Sequence, residues 1–466
     1  MKIFQTISKR KESCIVYGFL ILFFIASATV SLLRYYQFQS FYFDFGIVDR
    51  ALWLVAHFKA PVVFHPNFHG VEKVIFADHF NPSMFLLAPL YWITNKREIF
   101  FVVQALVVTL SGFVAYQFSK RCIKNSFVRV GLLCCYLLFV GLQNAMISDI
   151  HDATFATLPV MLMFWAIEKK KWKTYFIMMF IILGLKETFA GLVIGIGLYA
   201  AWKRQFTVAI STILISCMWL FVAIQFVIPY FSGQPYFYSS GANANFSIIA
   251  LLTPFEKIKT LFFSFLSFGF LPLFYPPLWP AIFENFFERF VTLSNTRWGL
   301  GLHYSATLSP LFFVSSVNVI AFLQRKKVPN AFLTSVGIAL ICIAVILHRF
   351  ILHGPLGLFY NPAFYASASK VQYIDNFIAD IPKNGLIMTQ QDIAVRLTHY
   401  NVTLLDTNFP VTEPHVIALN VTPGLDPNVY FPKSQFAAIA MKNSLLKDPH
   451  YVLKKYGNEL YVFIRK

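Results

Sequence analysis

Charged residues are scarce in this sequence. Only 13% of the 466 residues are charged, whereas 57% are hydrophobic and the mean hydropathy is +0.61. A soluble protein of this length needs far more charge to cover its surface. Repeated apolar runs of about 20 residues, the length that crosses a bilayer, indicate instead a polytopic membrane protein.

Cysteines and familiar catalytic motifs are also missing or few. The six cysteines lie in or beside apolar runs or basic clusters, and they show neither a disulfide framework nor a zinc spacing. The sequence lacks the GxGxxG, Walker A, GxSxG and HExxH motifs. Cytosolic nucleotide chemistry is therefore not expected.

Basic residues give the chain a formal net charge of +18, but they occur in short clusters between apolar runs. Clusters of this kind mark the cytoplasmic ends of membrane helices, so no nucleic-acid partner is expected. The clusters lie at residues 2–11, 120–124, 169–173, 203–204 and 325–327.

The clusters predict a topology with about ten crossings and a cytoplasmic N-terminus in the plasma (inner) membrane. The first run, 15–33, is expected to be a retained helix rather than a cleaved signal peptide, and 34–81 an extracytoplasmic loop. Residues 82–94 are too few to cross and are expected to dip into the bilayer. The runs 258–275 and 278–293 are broken by prolines, which favours an even number of crossings or a broken hairpin.

The composition changes after residue 354, where charge, proline and short β runs mix. Strands are predicted at 385–390, 402–406, 415–421, 451–455 and 459–465, with helices at 370–381 and 434–446. The predicted fold class is therefore mainly α: a transmembrane helical bundle over 1–354 and a small extracytoplasmic α/β domain over 355–466.

Acids and imidazoles concentrate in the predicted first loop. Asp44 lies in the string FDFG, whose aromatic residues shield it and whose glycine lets the backbone turn. Partial desolvation would raise the pKa of this carboxyl group and make it a suitable general base. Asp78 and His79 lie in the same loop. His65 and His69 are expected to be solvated loop residues, because Pro66 and Gly70 argue against a helix that would align them.

Further polar residues fall on the same predicted face. The pairs 151–152 and 303–304 begin apolar runs, and 186–187 join two runs of about 12 residues that are too short to span the bilayer. Lys186 and Glu187 form either a mutually neutralised pair or part of a site. Oxygen and imidazole ligands for Mg²⁺ or Mn²⁺ are available in this region, although their spacing is no metal signature. These are Asp78, His79, His151 and Asp152.

Five motifs occur in an order that resembles a family of predicted membrane proteins known as domain of unknown function 2079. They read FDFGIVDRALW, FADHFNPSMFLLAPLYW, SDIHDATFATLPVMLMFWAI, LGLKETFAGLVIGIGLY and HYSATLSPLFF. The resemblance continues through PKNGLIMTQQDIAVRLTHY and YVLKKYGNELYVFIRK. This family looks like the GT-C superfamily, polytopic glycosyltransferases that take sugars from polyprenyl-phosphate carriers on the outer face.

The GT-C resemblance implies a catalytic acid in the first outer loop, which falls on Asp44, with Asp78 as second choice. It implies transfer of a sugar from the carrier, and we expect a glycan, lipid or protein acceptor, with Lys186 or another basic group near the outer surface holding the carrier phosphate. The other residues expected at this substrate site are Glu187, His303 and Tyr304. Relatives often carry a His-Pro-Glu/Asp-like string where this chain has DIHD at 149–152, which makes a ligand role there less secure.

Two other classes of function stay open. A transporter or flippase of a glycolipid or polysaccharide is favoured by the break at Pro276, Pro277 and Pro280. The other alternative is a non-catalytic envelope assembly protein whose outer domain binds polysaccharide or a partner protein. The scarcity of charge within the apolar runs weakens the transporter reading.

Overall fold

The computed structural model describes residues 9–68, 71–239, 249–405, 413–457 and 459–466. Predicted loop residue His69 and the end of the predicted strand 402–406 lie outside these ranges. The membrane region is helical. Its helices are α1 (Lys9–Tyr36), α2 (Ile47–Ala56), α3 (Ile99–Cys122), α4 (Ser126–Leu138), α5 (Val140–Ile147), α6 (Asp152–Lys169), α7 (Trp172–Leu183), α8 (Phe189–Trp202), α9 (Phe206–Val222), α10 (Ile228–Ser232), α11 (Phe255–Leu266), α12 (Trp279–Phe290), α13 (Leu308–Arg325) and α14 (Asn330–Ile346).

Five helical segments in the described ranges are long and apolar enough to cross a membrane. A sixth span results if α4 and α5, which meet at a bend of 41°, are taken together. The predicted transmembrane helical bundle is thereby confirmed, but the predicted count of about ten crossings is not. The five spans are Arg10–Tyr36, Ile99–Cys122, Phe206–Ser232, His303–Arg325 and Asn330–Ile351.

The difference in crossing count has two physical causes. Helices α7 and α8 have 12 and 14 residues, which corresponds to roughly 18 to 21 Å against a hydrocarbon core of about 30 Å. Prolines interrupt the predicted crossings 258–275 and 278–293, because proline lacks the N–H that an α-helix needs. Short 3₁₀ turns at Leu271–Phe274 and Pro276–Leu278 join α11 to α12, and the segment predicted to dip is the 3₁₀ helix Pro82–Trp92.

Close helix approach holds the bundle together. Gly337 of α14 lies against the start of α4, where an added Cβ atom would come within 2.4 Å of the Phe127 carbonyl carbon. Glycine therefore lets these two helices touch through their backbones. At the end of the bundle that carries the basic clusters, Glu12 and Arg129 form a buried ion pair, with 2.7 Å between Arg129 Nε and Glu12 Oε1.

The C-terminal part contains the predicted sheet. Strands β3 (Ile387–Thr389), β4 (Val402–Leu404), β5 (Val416–Asn420), β6 (Tyr451–Tyr456) and β7 (Leu460–Arg465) form one mixed sheet in the order β4-β3-β5-β7-β6. Strand β3 pairs in parallel with β4 and β5, whereas β7 pairs antiparallel with β5 and β6. Four described helices accompany it: α15 (Pro362–Lys370), α16 (Gln372–Asp380), α17 (Gln391–Ala394) and α18 (Gln435–Leu445).

The first loop, 34–81, carries a hairpin of two strands, β1 (Val62–Phe64) and β2 (Glu72–Val74). A buried polar cluster joins this loop to the sheet region. The fully buried Asp49 carboxylate accepts a 3.0 Å hydrogen bond from Arg97 Nε and further bonds from the hydroxyl groups of Tyr91 and Thr398. His399 Nε2 lies 3.1 Å from the Tyr91 hydroxyl. A buried carboxylate with this many partners is a structural anchor, and it fixes the first loop against the sheet.

Candidate functional site

A cavity of about 160 Å³, here called the Asp44 cavity, lies where the first loop meets several helix ends. Eight of the nine predicted site residues line it. They are Asp44, Asp78, His79, His151, Asp152, Lys186, His303 and Tyr304. The ninth, Glu187, lies behind the wall. The residues were predicted from separate segments, so their convergence depends on the fold.

Asp44 is presented by a π-helical turn, Tyr42–Gly46, directly before α2. An added Cβ atom at Gly46 would come within 2.5 Å of Tyr42 Cδ2, so glycine allows the tight packing of this turn. The Phe43 N–H donates a 2.8 Å hydrogen bond to Oε1 of Gln391, the first residue of α17. The sheet region therefore braces the turn that carries Asp44.

The Asp44 carboxylate is only partly exposed, and it faces the cavity. Within the described ranges, no group donates a hydrogen bond to it. Burial, and secondarily the charge of Asp149, raises the pKa of Asp44 to about 7. Burial also raises the pKa of Asp149 to about 6, and its Oδ2 accepts a 2.9 Å hydrogen bond from Phe41 N–H. Asp44 is thus an unpartnered carboxylate that changes charge near neutral pH.

Asp78 has the opposite surroundings. Its Oδ1 accepts hydrogen bonds from Tyr238 Oη at 2.9 Å and Asn67 Nδ2 at 3.1 Å. On the other oxygen, His65 Nε2 lies 3.4 Å away and His79 Nε2 3.9 Å away. Burial alone would raise the pKa of Asp78, but these partners outweigh it and hold the pKa well below its usual range. Asp78 therefore suits a positioning role better than that of a base.

The structure corrects one expectation for this loop. His65 was predicted to be solvated, yet its side chain is only 2% exposed. Its Nδ1 accepts a 3.2 Å hydrogen bond from Asn67 N–H, which leaves Nε2 to carry the proton toward Asp78. The prediction was wrong because sequence spacing does not reveal a partner that the chain brings back by folding.

Lys186 and Glu187 point in different directions from the turn between α7 and α8. Glu187 is fully buried, accepts a 2.7 Å hydrogen bond from Tyr236 Oη, and lies 2.8 Å from His79 Nδ1. Burial opposes ionisation, but these contacts outweigh it and lower the pKa of Glu187 overall. Glu187 therefore orients His79, and it does not form an ion pair with Lys186.

Lys186 faces the cavity. No carboxylate in the described part of the chain lies within ion-pair distance of its ammonium group, although Asp152 and Glu288 attract it from farther away. Burial acts to lower the pKa of Lys186, but these negative charges outweigh it, so the pKa is raised and the amine stays protonated. Lys186 is therefore a cation available to an anionic ligand.

Arg297 is a second cation at this cavity, and sequence reasoning missed it. Its guanidinium carbon lies 5.7 Å from the Tyr238 ring centroid and 5.5 Å from that of Tyr304. No described carboxylate forms an ion pair with it. The buried Arg289 holds its loop by donating a 2.8 Å hydrogen bond from Nε to the Arg297 carbonyl oxygen. One feature of the sequence could have identified Arg297: it is an isolated arginine on the predicted outer face, which should be poor in basic residues.

Two imidazoles from the segments that precede different helices form another part of the wall. The rings of His151, which precedes α6, and His303, which precedes α13, stack with centroids 3.7 Å apart. Burial lowers the pKa of His151 to about 4, so its ring is neutral at physiological pH. The Tyr304 ring centroid lies 4.0 Å from that of His303. This aromatic surface lies beside the charged groups.

A second cavity of about 330 Å³, the Glu288 cavity, adjoins the first. The two share four lining residues: His79, Lys186, Tyr238 and Arg297. Glu284 and Glu288, one turn apart on α12, face this cavity. Both cations therefore lie between two cavities, one with Asp44 and one with the two glutamates.

The predicted metal ligands do not gather into a metal centre in the described ranges. No group of three or more His, Cys, Asp or Glu side chains there is arranged to hold an ion. Two of the four, Asp78 and His79, already use their ligand atoms on each other, on His65 and on Glu187. The predicted Mg²⁺ or Mn²⁺ ion stays a prediction.

The fold and the lined cavity define a helical integral membrane protein with a polar site at one end of its bundle. The chain belongs to the family of predicted membrane proteins designated DUF2079, whose model matches residues 34–422. The match covers every predicted site residue, the turn at Gln391 and strands β3 to β5. A comparison with curated proteins found no match.

Proposed function

We propose that this protein is a GT-C-type glycosyltransferase, which moves a sugar from a polyprenyl-phosphate carrier to an acceptor hydroxyl group. One observation carries the proposal: an unpartnered carboxylate, Asp44, and two cations without carboxylate partners, Lys186 and Arg297, line one cavity. A base for the acceptor and positive charge for the departing phosphate are the two groups that this reaction needs.

The chemistry then assigns a role to each of the three groups. Asp44 accepts the acceptor hydroxyl proton while the acceptor oxygen forms a bond to the anomeric carbon of the sugar. The bond from that carbon to the phosphate oxygen breaks, and its electron pair leaves with the polyprenyl phosphate. Lys186 and Arg297 stabilise this negative charge. A pKa of about 7 allows Asp44 to be ionised before transfer and to hold the proton afterwards.

The neighbouring residues support this arrangement. Asp78 and Glu187 position His79 at the junction of the two cavities. His303 and Tyr304 form the wall where the sugar would lie between base and phosphate. Asp78 is a poorer base than Asp44, because its partners stabilise the ionised form. A divalent cation would bind through the carrier phosphate with at most one or two carboxylates, Asp152 being available.

The proposal includes a location. The cavity would lie at the outer face of the plasma membrane, where the carrier enters laterally from the bilayer, and the basic clusters would be cytoplasmic. The clusters support this orientation because they lie at the opposite helix ends from Asp44. Glycan, lipid or protein hydroxyl groups would be the acceptors.

The test is transfer of labelled sugar from a panel of polyprenyl-phosphate sugars by detergent-purified protein, with and without EDTA. Asp44→Asn should lower the rate by about 10²-fold or more, because the base is lost while the shape of the side chain is kept. The matched control is Glu72→Gln, an exposed acid of the same loop, which should keep full activity.

The outcomes are distinct if thermal unfolding shows that each protein is folded. Full activity in Asp44→Asn would remove Asp44 from the mechanism. Folded wild-type protein that transfers sugar from no donor would contradict the enzyme class and favour transport or assembly. Loss of activity in EDTA, restored by Mg²⁺ or Mn²⁺, would establish the metal ion.

A further inference from the structure

A third cavity, the Arg34 cavity, has a volume of about 580 Å³ and shares no lining residue with the Asp44 cavity. It lies between the ends of α1, α5 and α14 and the connecting segment after α14. Arg34, His348, Arg349 and His353 line it, and no acidic residue does. The charged residues that line this cavity, Arg34 and Arg349, are therefore both cations.

Arg34 is the least expected member of this group. It lies in the last turn of α1, and its Nε is buried with no hydrogen-bond partner among the described residues. Asp149 attracts it electrostatically but forms no ion pair with it within 4.0 Å. A buried guanidinium nitrogen without a partner is costly, and an anion in the cavity that Arg34 lines would offset that cost electrostatically.

His348 is held at the cavity wall by specific packing. Its Nε2 lies 2.9 Å from Gln143 Oε1. An added Cβ atom at Gly354 would come within 2.2 Å of His348 Cδ2, so glycine makes room for the imidazole ring. The wall is thus built around the imidazole.

The rim of the cavity is apolar and exposed. Arg349 extends over the rings of Phe350 and Tyr360, with its guanidinium carbon 5.7 and 5.5 Å from their centroids. Phe350 is 66% exposed, Ile351 49% and Tyr360 56%. Aromatic and aliphatic side chains of this kind are typical of the membrane interface. A ligand that fits both the basic side chains of the cavity and its apolar rim has an anionic head and an apolar tail.

A simpler explanation accounts for only part of this. Basic residues at the C-terminal ends of helices stabilise the helix dipole, and their long side chains reach the interface. That explains Arg349, whose side chain is exposed. It does not explain the buried, unpartnered Nε of Arg34 or the large cavity into which the side chains converge.

We propose that the Arg34 cavity binds the phosphate headgroup of an anionic membrane lipid. Guanidinium groups bind phosphate oxygens through paired hydrogen bonds, which suits Arg34 and Arg349. The apolar rim takes the acyl chains. This site is separate from the proposed transfer reaction and does not depend on it.

The experiment is native mass spectrometry of the full-length protein in detergent, with phosphatidylglycerol, phosphatidylcholine or inorganic phosphate added. Wild-type protein should retain phosphatidylglycerol preferentially. Arg34→Gln with Arg349→Gln should reduce its retention by about fivefold or more, as expected for lost basic contacts to an anionic lipid. The matched control is Arg325→Gln, an exposed arginine at the opposite end of the bundle, which should bind like wild type.

Equal retention by the double variant and the wild type would overturn the proposal, as would equal retention of the two lipids by wild type. Displacement of the lipid by millimolar inorganic phosphate would overturn the lipid assignment in favour of a soluble phosphate. If Arg34→Gln fails to fold, the single variants of the exposed residues Arg349 and His353 to Gln give the same comparison.

Discussion

Asp44 and Asp49 lie close together in one loop, yet the fold gives them opposite surroundings. Burial raises the pKa of both. Asp49 is tied to Arg97 and Thr398, whereas Asp44 has no described hydrogen-bond partner. The sequence indicates that both acids belong to the first loop, where acidic residues and histidines concentrate. It cannot separate them, because the partners of Asp49 come from distant parts of the chain.

The raised pKa of Asp44 predicts the pH dependence of transfer. The ionised form is the base, so log kcat/KM should rise with pH and level off above about 7. The measurement is the pH profile of kcat/KM. Asp149→Asn removes a charge that raises this pKa, so the midpoint should move to lower pH. A midpoint that stays in place would show that Asp44 is not the titrating group.

The same pKa predicts a stability difference that needs no substrate. Because the folded-state pKa of Asp44 is raised above its value in the unfolded chain, its contribution to stability is present at low pH. That contribution is lost progressively as pH rises from the ordinary pKa of 3.8 through the raised value of about 7. Thermal unfolding of wild type and Asp44→Asn should therefore coincide at about pH 3.5, and the variant should become progressively the more stable protein as pH rises to about 7 and stay so above it. The same difference in unfolding temperature between the two proteins at low and at high pH would contradict the raised pKa of Asp44.

Lys186 allows a charge-specific prediction. Lys186→Met keeps the length of the side chain but removes the cation, so kcat/KM for the lipid-linked donor should fall by about 10 to 100-fold. Lys186→Arg should recover part of the loss. Lys173→Met, at an exposed position in the first turn of α7, is the matched control. Unchanged donor kinetics in Lys186→Met would mean that the phosphate binds elsewhere.

At the scale of elements, the turn Tyr42–Gly46 depends on α17. Gln391 accepts a hydrogen bond from Phe43 N–H and donates one of 3.2 Å to the Phe431 carbonyl oxygen. Gln391→Leu leaves both backbone groups without this partner, at a cost of about 1–3 kcal/mol. We expect transfer to fall by about tenfold or more, since misplacing a base by even 1 Å is costly.

The control for Gln391→Leu is Gln372→Leu, an exposed glutamine on α16. Both variants change the same residue type in the same region, so a general effect of added hydrophobicity would appear in both. Transfer kinetics and thermal unfolding together distinguish the cases. Equal activity of the two variants would show that the brace does not position Asp44.

The elements differ in how well the sequence predicts them. The described bounds of the five strands and of α18 after residue 385 lie within about two residues of their predicted positions, because turn residues mark the ends of short β runs, whereas α17 was not predicted. The short segment predicted at 82–94 is the 3₁₀ helix Pro82–Trp92, and its dip into the bilayer stays a prediction. The crossing count was not confirmed, since hydropathy does not tell a full span from short helices such as α7 and α8.

For the site, the sequence identified the segments but not their contacts. Eight predicted residues share the cavity, yet Arg297 and Tyr238 were missed. Both lie in loops where no periodic pattern constrains them. Their roles follow from ring and hydrogen-bond contacts across the fold, such as the bond from Tyr238 to Asp78.

At the scale of the whole molecule, the proposed orientation predicts which residues face the medium. In a cysteine-free background, Ser294→Cys near the cavity should react with a membrane-impermeant maleimide in intact cells. Lys173→Cys, in the basic cluster at the start of α7, should react only after the cells are opened. Both positions are exposed, so accessibility within the protein is matched. The reverse labelling pattern would show that the protein has the opposite orientation in the membrane, with the cavity facing the cytoplasm.

The contact between Phe43 and Gln391 also has a consequence for biosynthesis. The two residues are 348 positions apart, so ribosomes make the turn at Asp44 long before its brace exists. Membrane helices insert one after another during translation, whereas this wall of the cavity is completed only when the last quarter of the chain has emerged and folded. A chain interrupted before Gln391 would insert into the bilayer without the contact that holds the turn at Asp44.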